Sequence, residues 1–187
     1  MDIQTMAYNL KRDQKIKNSP LAWVRLATEP KCDIDQFDKM VVHKGYAMGS
    51  DGYRIHGHKL PADQAANLEG KVIDENGNVL DIDSKPDKLP PVVYLFPMLV
   101  ADEYPLTDTF DLSKCVVEKS ERTGKYLFKL ELFGEQCLFN KKFIEQALNG
   151  RQSVNVCANA EFDAQSAVRF MLSDTETAVV MPVHIEV

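Results

Sequence analysis

Apolar positions along this chain change their spacing from one stretch to the next, and each spacing implies an element. In "TAVVMPVHIEV", Val179, Met181, Val183, Ile185 and Val187 occupy every second place, the period of a strand with one buried face. "SVNVCAN" and "SAVRFML" read as further strands, and "LSDTET" before the last one as a polar turn. "KYLFKLELFGEQCLF" alternates on both sides of Gly134 and predicts a hairpin. Directly after it, Phe143, Ile144, Ala147 and Leu148 fall on one helical face, with Asn140 as N-cap and Gly150 as the stop. Near the other end, Ser19-Pro20 caps and opens a short helix that Pro30 closes. Strand-like pieces follow from Phe37 to Leu60, among them "MVVHKGYAMGS" and "YRIHGHKL", joined by Ser50-Asp51-Gly52.

The two ends therefore show one order, a short helix and then strands. That order predicts an α+β fold built from a βαβββ unit used twice, with the helices on one side of antiparallel sheets. We read residues 1–187 as one domain with two halves, about 1–60 and 114–187, joined by an elaborated connection over 61–113. In that connection Asn76-Gly77 between apolar pairs predicts a hairpin, and "PVVYLFPMLV" reads as a buried strand closed by Pro97.

Composition adds exclusions. The 187 residues are 44% hydrophobic and 27% charged, an ordinary globular profile. No apolar run is long enough to span a bilayer, and the N-terminus lacks the order of a signal peptide, so no membrane association and a cytoplasmic location are expected. The four cysteines are scattered without a C-x-x-C pair, which argues for reduced, buried thiols and against zinc. The net charge of −6 is uneven: +3 over residues 1–60, −7 over 61–120 and −2 over 121–187. The balance argues against a wholly basic polyanion-binding surface and leaves a local cluster such as "LKRDQKIKN" open, which reads as a solvated basic segment.

Residues 46–61, "YAMGSDGYRIHGHKLP", look chemical at first sight. His56 and His58 share a strand face, yet no Asp, Glu or Cys stands at a matching offset to complete a metal site, so we read both as strand-surface residues. The Gly-Ser-Asp-Gly piece also lacks the order of a phosphate loop. No metal and no cofactor are expected.

The same stretch carries a family resemblance. "MGSDGYRI" resembles the Thr-Asp-Gly-His-Arg-Leu segment of the bacterial sliding clamp, the beta subunit of DNA polymerase III. "FNKKFIEQALN" and the closing "VVMPVHI" resemble that family's last helix and its C-terminal Val-Val-Met-Pro-Met-Arg-Leu. Tyr53 stands at the family's histidine, Ser50 at its threonine and Ile55 at its leucine, and the matching motifs cover a minority of the chain.

The resemblance implies a clamp-like fold and a non-enzymatic DNA replication and processivity role. It implies a hydrophobic pocket that receives short hydrophobic peptides of replication proteins, walled by Ser50, Gly52, Tyr53, Arg54 and Ile55 with Val179 and Met181 opposite. It also implies a homo-oligomeric ring around duplex DNA, a hexamer or a trimer, whose contacts with the phosphate backbone ignore sequence. Lys17, Arg25 and Lys31 around the first helix, and Lys141, Lys142 and Arg151 around the second, would face that DNA. A solvated helix face explains the same cations. Two other classes stay open: a clamp-fold interaction module without DNA binding, and a His/Cys-dependent hydrolase, for which none of the four histidines stands in a catalytic motif.

Overall fold

Ser19 caps the first helix by accepting a hydrogen bond at Oγ from the Ala22 amide, and Pro20 fills the first helical position. The computed structural model describes residues 19–28, 38–74, 77–81, 91–100 and 104–183. Helix α1 (Pro20–Arg25) buries Leu21, Trp23 and Val24 and ends sooner than expected, in a turn over 26–28; Pro30 lies outside the described residues. A meander follows: β1 (Met40–His43), β2 (Tyr46–Ser50) and β3 (Arg54–Lys59).

Residues 61–113 then supply α2 (Ala62–Leu68), the hairpin β4 (Lys71–Ile73) and β5 (Val79–Asp81), a 3-10 turn over Pro91–Leu95, α3 (Phe96–Val100) and β6 (Leu106–Asp111). The expected hairpin is present as the antiparallel pairing of β4 with β5, while Asn76 of its turn lies outside the described residues. The buried strand expected over 91–100 does not. Pro97 sits in the first turn of α3, where a missing amide costs nothing, and the stretch coils.

The last third holds β7 (Val116–Lys119), β8 (Tyr126–Leu132), β9 (Glu135–Asn140), α4 (Lys141–Leu148), β10 (Ser153–Ala158), β11 (Val168–Met171) and β12 (Glu176–Val180). Asn140 accepts from the Lys142 amide as N-cap, and Asn149, at φ +50°, takes the left-handed position one residue ahead of Gly150.

All strand pairs are antiparallel. Among the described residues, nine strands form one sheet in the order β5-β4-β1-β2-β3-β12-β11-β10-β6, and β7-β8-β9 form a second. The fold is α+β, and the repeat is visible in it: α1 precedes β1-β2-β3, and β9-α4 precedes β10-β11-β12. The two meanders meet where β3 pairs with β12, Val179 opposite Ile55. The final strand is thus central. It offers no free edge near Met181 to a second copy in a ring, because both its sides are occupied by β3 and β11.

Side-chain parity divides the core between the two faces of the large sheet. On one face Trp23, Val24, Ile144 and Leu148 of α1 and α4 pack with Ala178, Val180 and Phe170 and with the small sheet's Leu130 and Phe139. On the other, Val41, Met48, Ile55 and Val179 are covered by Val92, Phe96 and Leu99. The helices of the repeat lie on one side, and the 91–100 segment covers part of the other. Gly57 permits that cover, since a Cβ there would stand 2.8 Å from a Leu99 methyl.

His56 is a correction. It is fully buried, not a surface residue, and its ring stacks on Trp23 with centroids 4.5 Å apart. His58 is half-buried on the same face. Strand parity put them together, but α1 covers the face that was read as open.

Candidate functional site, a two-part groove

The turn between β2 and β3 is built by its own side chains. Asp51 Oδ1 accepts from the amides of Tyr53 and Arg54, at 3.0 and 3.1 Å. Ser50 Oγ donates to the Arg54 carbonyl at 2.8 Å and accepts from the Gly52 amide at 3.0 Å. Gly52 sits at φ +86°, a conformation that a side chain there would strain. The turn is rigid before any tertiary contact is added.

The chain just beyond β12 runs across it. The Met181 amide donates to the Tyr53 carbonyl at 2.9 Å, and the Val183 amide to the Leu138 carbonyl of β9 at 2.7 Å. Met181, Pro182 and Val183 are thereby tied to the turn on one side and to the small sheet on the other.

Two recesses adjoin along this seam. The larger, about 490 Å³, has Gly52 and Tyr53 on one wall and Met181, Pro182 and Val183 on the next. Its far side comes from Thr123, Lys125 and Leu127 around the start of β8, from Asn140 at the end of β9 and from Phe143 of α4. Tyr53 is 66% exposed, and its ring lies 6.5 Å from that of Phe143 at 29°. The smaller recess, about 40 Å³, lies between Gly52–Ile55, Val179 and Met181, with Leu95 and Met98 closing it. Gly52, Tyr53 and Met181 belong to both.

Six of the residues singled out from the sequence, Gly52, Tyr53, Arg54, Ile55, Val179 and Met181, surround the smaller recess. Ser50 lies buried in the turn, where it holds backbone. Arg54 lines the recess too, but its guanidinium turns inward. Nε donates to Asp51 Oδ2 at 3.0 Å, the other nitrogens to Gln146 Oε1 and the Leu26 carbonyl, and the group lies 4.3 Å from the Phe143 ring centre. It clamps the turn to both α1 and α4.

Sequence reasoning missed Leu95 and Met98, because 91–100 was read as a strand. It also missed Phe143 as a wall. The helical period places Phe143 on the apolar face, but it lies at that face's edge, half-buried, while Ile144, Ala147 and Leu148 are buried.

Of the four cations assigned to DNA that lie among the described residues, three are engaged. Arg25 donates to the Asp74 carbonyl at 2.9 Å, Lys141 pairs with Glu145, and Arg151 pairs with Glu176 at 2.8 Å. Lys142 is exposed on α4, and Lys17 and Lys31 lie outside the described residues. Among the described residues there is no cluster of three or more His, Cys, Asp or Glu able to hold a metal. Burial pushes the Cys115 and Cys137 thiols up to about 11, which leaves them poor nucleophiles. Cys115, Cys137 and Cys157 are free thiols; Cys32 lies outside the described residues.

No protein-family model matches this chain, and no curated protein does. Solved structures do. The DNA polymerase sliding clamp of Pseudomonas aeruginosa with ligand is 12% identical over 96% of this chain and 65% of its own, with a TM-score of 0.54. The Helicobacter pylori beta clamp in complex with 3,4-difluorobenzamide is 13% identical over 89% and 63%, at 0.51. The DNA polymerase III beta subunit of Thermotoga maritima is 11% identical over 97% and 64%, at 0.50. The chain has the clamp fold, and it spans just under two thirds of the length of these clamps.

Proposed function

We propose that this protein is a non-enzymatic clamp-fold factor of DNA replication that docks short apolar peptides of replication proteins in the two-part groove. The observation that supports this most is the join between the 50–55 turn and Met181–Val183, the two segments that resemble the bacterial sliding clamp. They meet through one backbone hydrogen bond and leave apolar walls from Tyr53, Phe143, Leu127 and Met181 around a recess of about 490 Å³. That volume is within the range of ordinary ligand pockets and leaves room for several apolar side chains. Few anchors are available to offset the ordering of a peptide, so affinity is modest.

In the fuller form of this reading the protein acts in the cytoplasm and self-associates into a ring on duplex DNA. Among the described residues, no strand pairs with the outer sides of β5, β6 and β7, and these are the edges at which strand-to-strand contact would form. Among the described residues no helix is long and apolar enough to cross a membrane.

The pairing of Lys141 and Arg151 with carboxylates, and the turn of Arg25 to a carbonyl, favour a second reading, a docking module of the same fold that does not hold DNA. Light scattering together with duplex titrations at several salt concentrations separates the two. A ring-sized mass with binding that falls steeply in salt fits the first.

The docking reading is tested by fluorescence anisotropy of a labelled Leu-Phe peptide. Met181→Ala and Phe143→Ala should each weaken binding about 5- to 30-fold, the loss of one apolar wall at roughly 1–2 kcal/mol. Undiminished binding by both folded variants refutes it.

A further inference from the structure

Two ring nitrogens of β3 are buried and accept from no group among the described residues, Nε2 of His56 and Nδ1 of His58. Strand parity sets both rings on the sheet face that α1 covers. The bonds the rings do make fix what these two atoms offer. Nδ1 of His56 stands 2.8 Å from the Trp23 carbonyl, and the His58 ring bonds the backbone of Thr175. Burial favours the neutral form of both, and a neutral imidazole has one N–H and one lone pair. In each ring the N–H is already spent on a carbonyl. What remains is a pair of buried acceptors, and leaving both unmet is costly.

The surroundings select what meets them. Side chains two apart on one strand face start about 7 Å from each other, a gap that one small molecule with two donors spans. Room beside the rings comes from small neighbours, since Ala47 stands opposite His58 and Ala178 opposite His56. A cation is disfavoured there. Asp51 is matched by Arg54 and Glu176 by Arg151, so neither nearby carboxylate is spare. Among the described residues no third ligand joins the two histidines either.

We propose that β3 binds one internal water molecule, which donates one O–H to His56 Nε2 and the other to His58 Nδ1. Water is the smallest neutral molecule with two donors, and buried waters commonly serve groups of this kind. The polar line under α1 then runs unbroken from Thr175 through His58, the water and His56 to Trp23. The His-Gly-His of β3 is thereby a hydration site that seats α1 on the sheet, and it owes nothing to the groove.

The test uses the whole chain, labelled with ¹⁵N and ¹³C and freed of metal by a chelator, at pH 7.5. Long-range proton–nitrogen spectra should show His56 protonated at Nδ1 and His58 at Nε2. Rotating-frame Overhauser spectra should carry a direct cross-peak from water to the Cε1 proton of each ring. The opposite tautomer in either ring, or a missing water peak at either, overturns the proposal. In His58→Leu the water loses one of its two acceptors, and the peak at His56 should fall to the noise. A peak that persists at full strength overturns the bridge. Excess Zn²⁺ should leave the nitrogen signals of both rings in place, and a shift of both would assign the pair to a metal instead. Trp23 emission reports folding of the variant; should it not fold, the tautomers and water peaks of the wild type decide.

Discussion

The imidazole of His56 lies flat on the indole of Trp23, 12° from parallel, while its Nδ1 stands 2.8 Å from the Trp23 carbonyl. Nδ1 therefore carries the proton and donates. The same indole donates from Nε1 to the carbonyls of Gln146 and Ala147, at 2.9 and 3.1 Å. One aromatic pair thus binds β3, α1 and α4 together beneath the groove.

Replacing His56 by Ala removes a filled volume and a buried donor at once. The expected cost is about 2–4 kcal/mol, from the cavity and the unmet Trp23 carbonyl. Urea unfolding followed by the protein's one tryptophan measures it, and a change under about 0.5 kcal/mol would contradict the packing described.

Stability should also fall with acid, through the same ring. Burial, aided by the nearby Arg54 charge and opposed by the Trp23 carbonyl, lowers the His56 pKa to about 3. Below the ordinary value of 6.5 the unfolded chain takes a proton that the folded one refuses. Folding then loses up to about 1.4 kcal/mol per pH unit between pH 6.5 and about 3, and nothing above that window. His58 is lowered as well, chiefly by burial against the pull of Glu176, and adds in the same direction. Denaturation midpoints at pH 7.5, 5.5 and 4.5 should decline in that order, and His56→Phe should flatten the decline.

These two residues show where sequence reading stops. Alternation along β3 placed His56 and His58 on one face, because strand period is local. Which face α1 covers depends on contacts between distant residues, and a polar side chain there reads as exposed. Helix α4 was legible down to its cap, since Asn140 and the apolar stripe act within a few residues. The 91–100 segment was not. Its apolar run suits a strand or a coil equally, and the position of Pro97 within the first helical turn emerges only once the element exists. Sheet order was hidden for a similar reason. Position at the end of the chain says nothing about position in a sheet, and β12 lies in the middle of one. Within the groove, the motif residues were found by resemblance, while Phe143 and Met98 carry no local mark of their role.

Asp51→Asn should destabilise the protein by about 3–5 kcal/mol. It leaves the Arg54 guanidinium buried without its anion, and the side chains of the pair are 5% and 7% exposed, Arg54 first. The double variant Asp51→Asn, Arg54→Met should recover much of that loss. Additive losses in a double-mutant cycle would show that the two groups act independently.

At Gly57 an added methyl meets Leu99 at 2.8 Å. Gly57→Ala should cost about 1–3 kcal/mol by overpacking, and Leu99→Ala in the same chain should relieve part of it. A Gly57→Ala protein as stable as the wild type would mean that α3 does not hold this position on the sheet.

The hydrogen bond from Met181 to Tyr53 joins two segments that stand far apart in sequence. Neither encloses the larger recess by itself, because Gly52 and Tyr53 form one wall and Met181, Pro182 and Val183 the next. Any opening of the β3–β12 pairing would therefore part both walls at once. The recess is a property of the seam between the two meanders, and it lasts as long as that seam does.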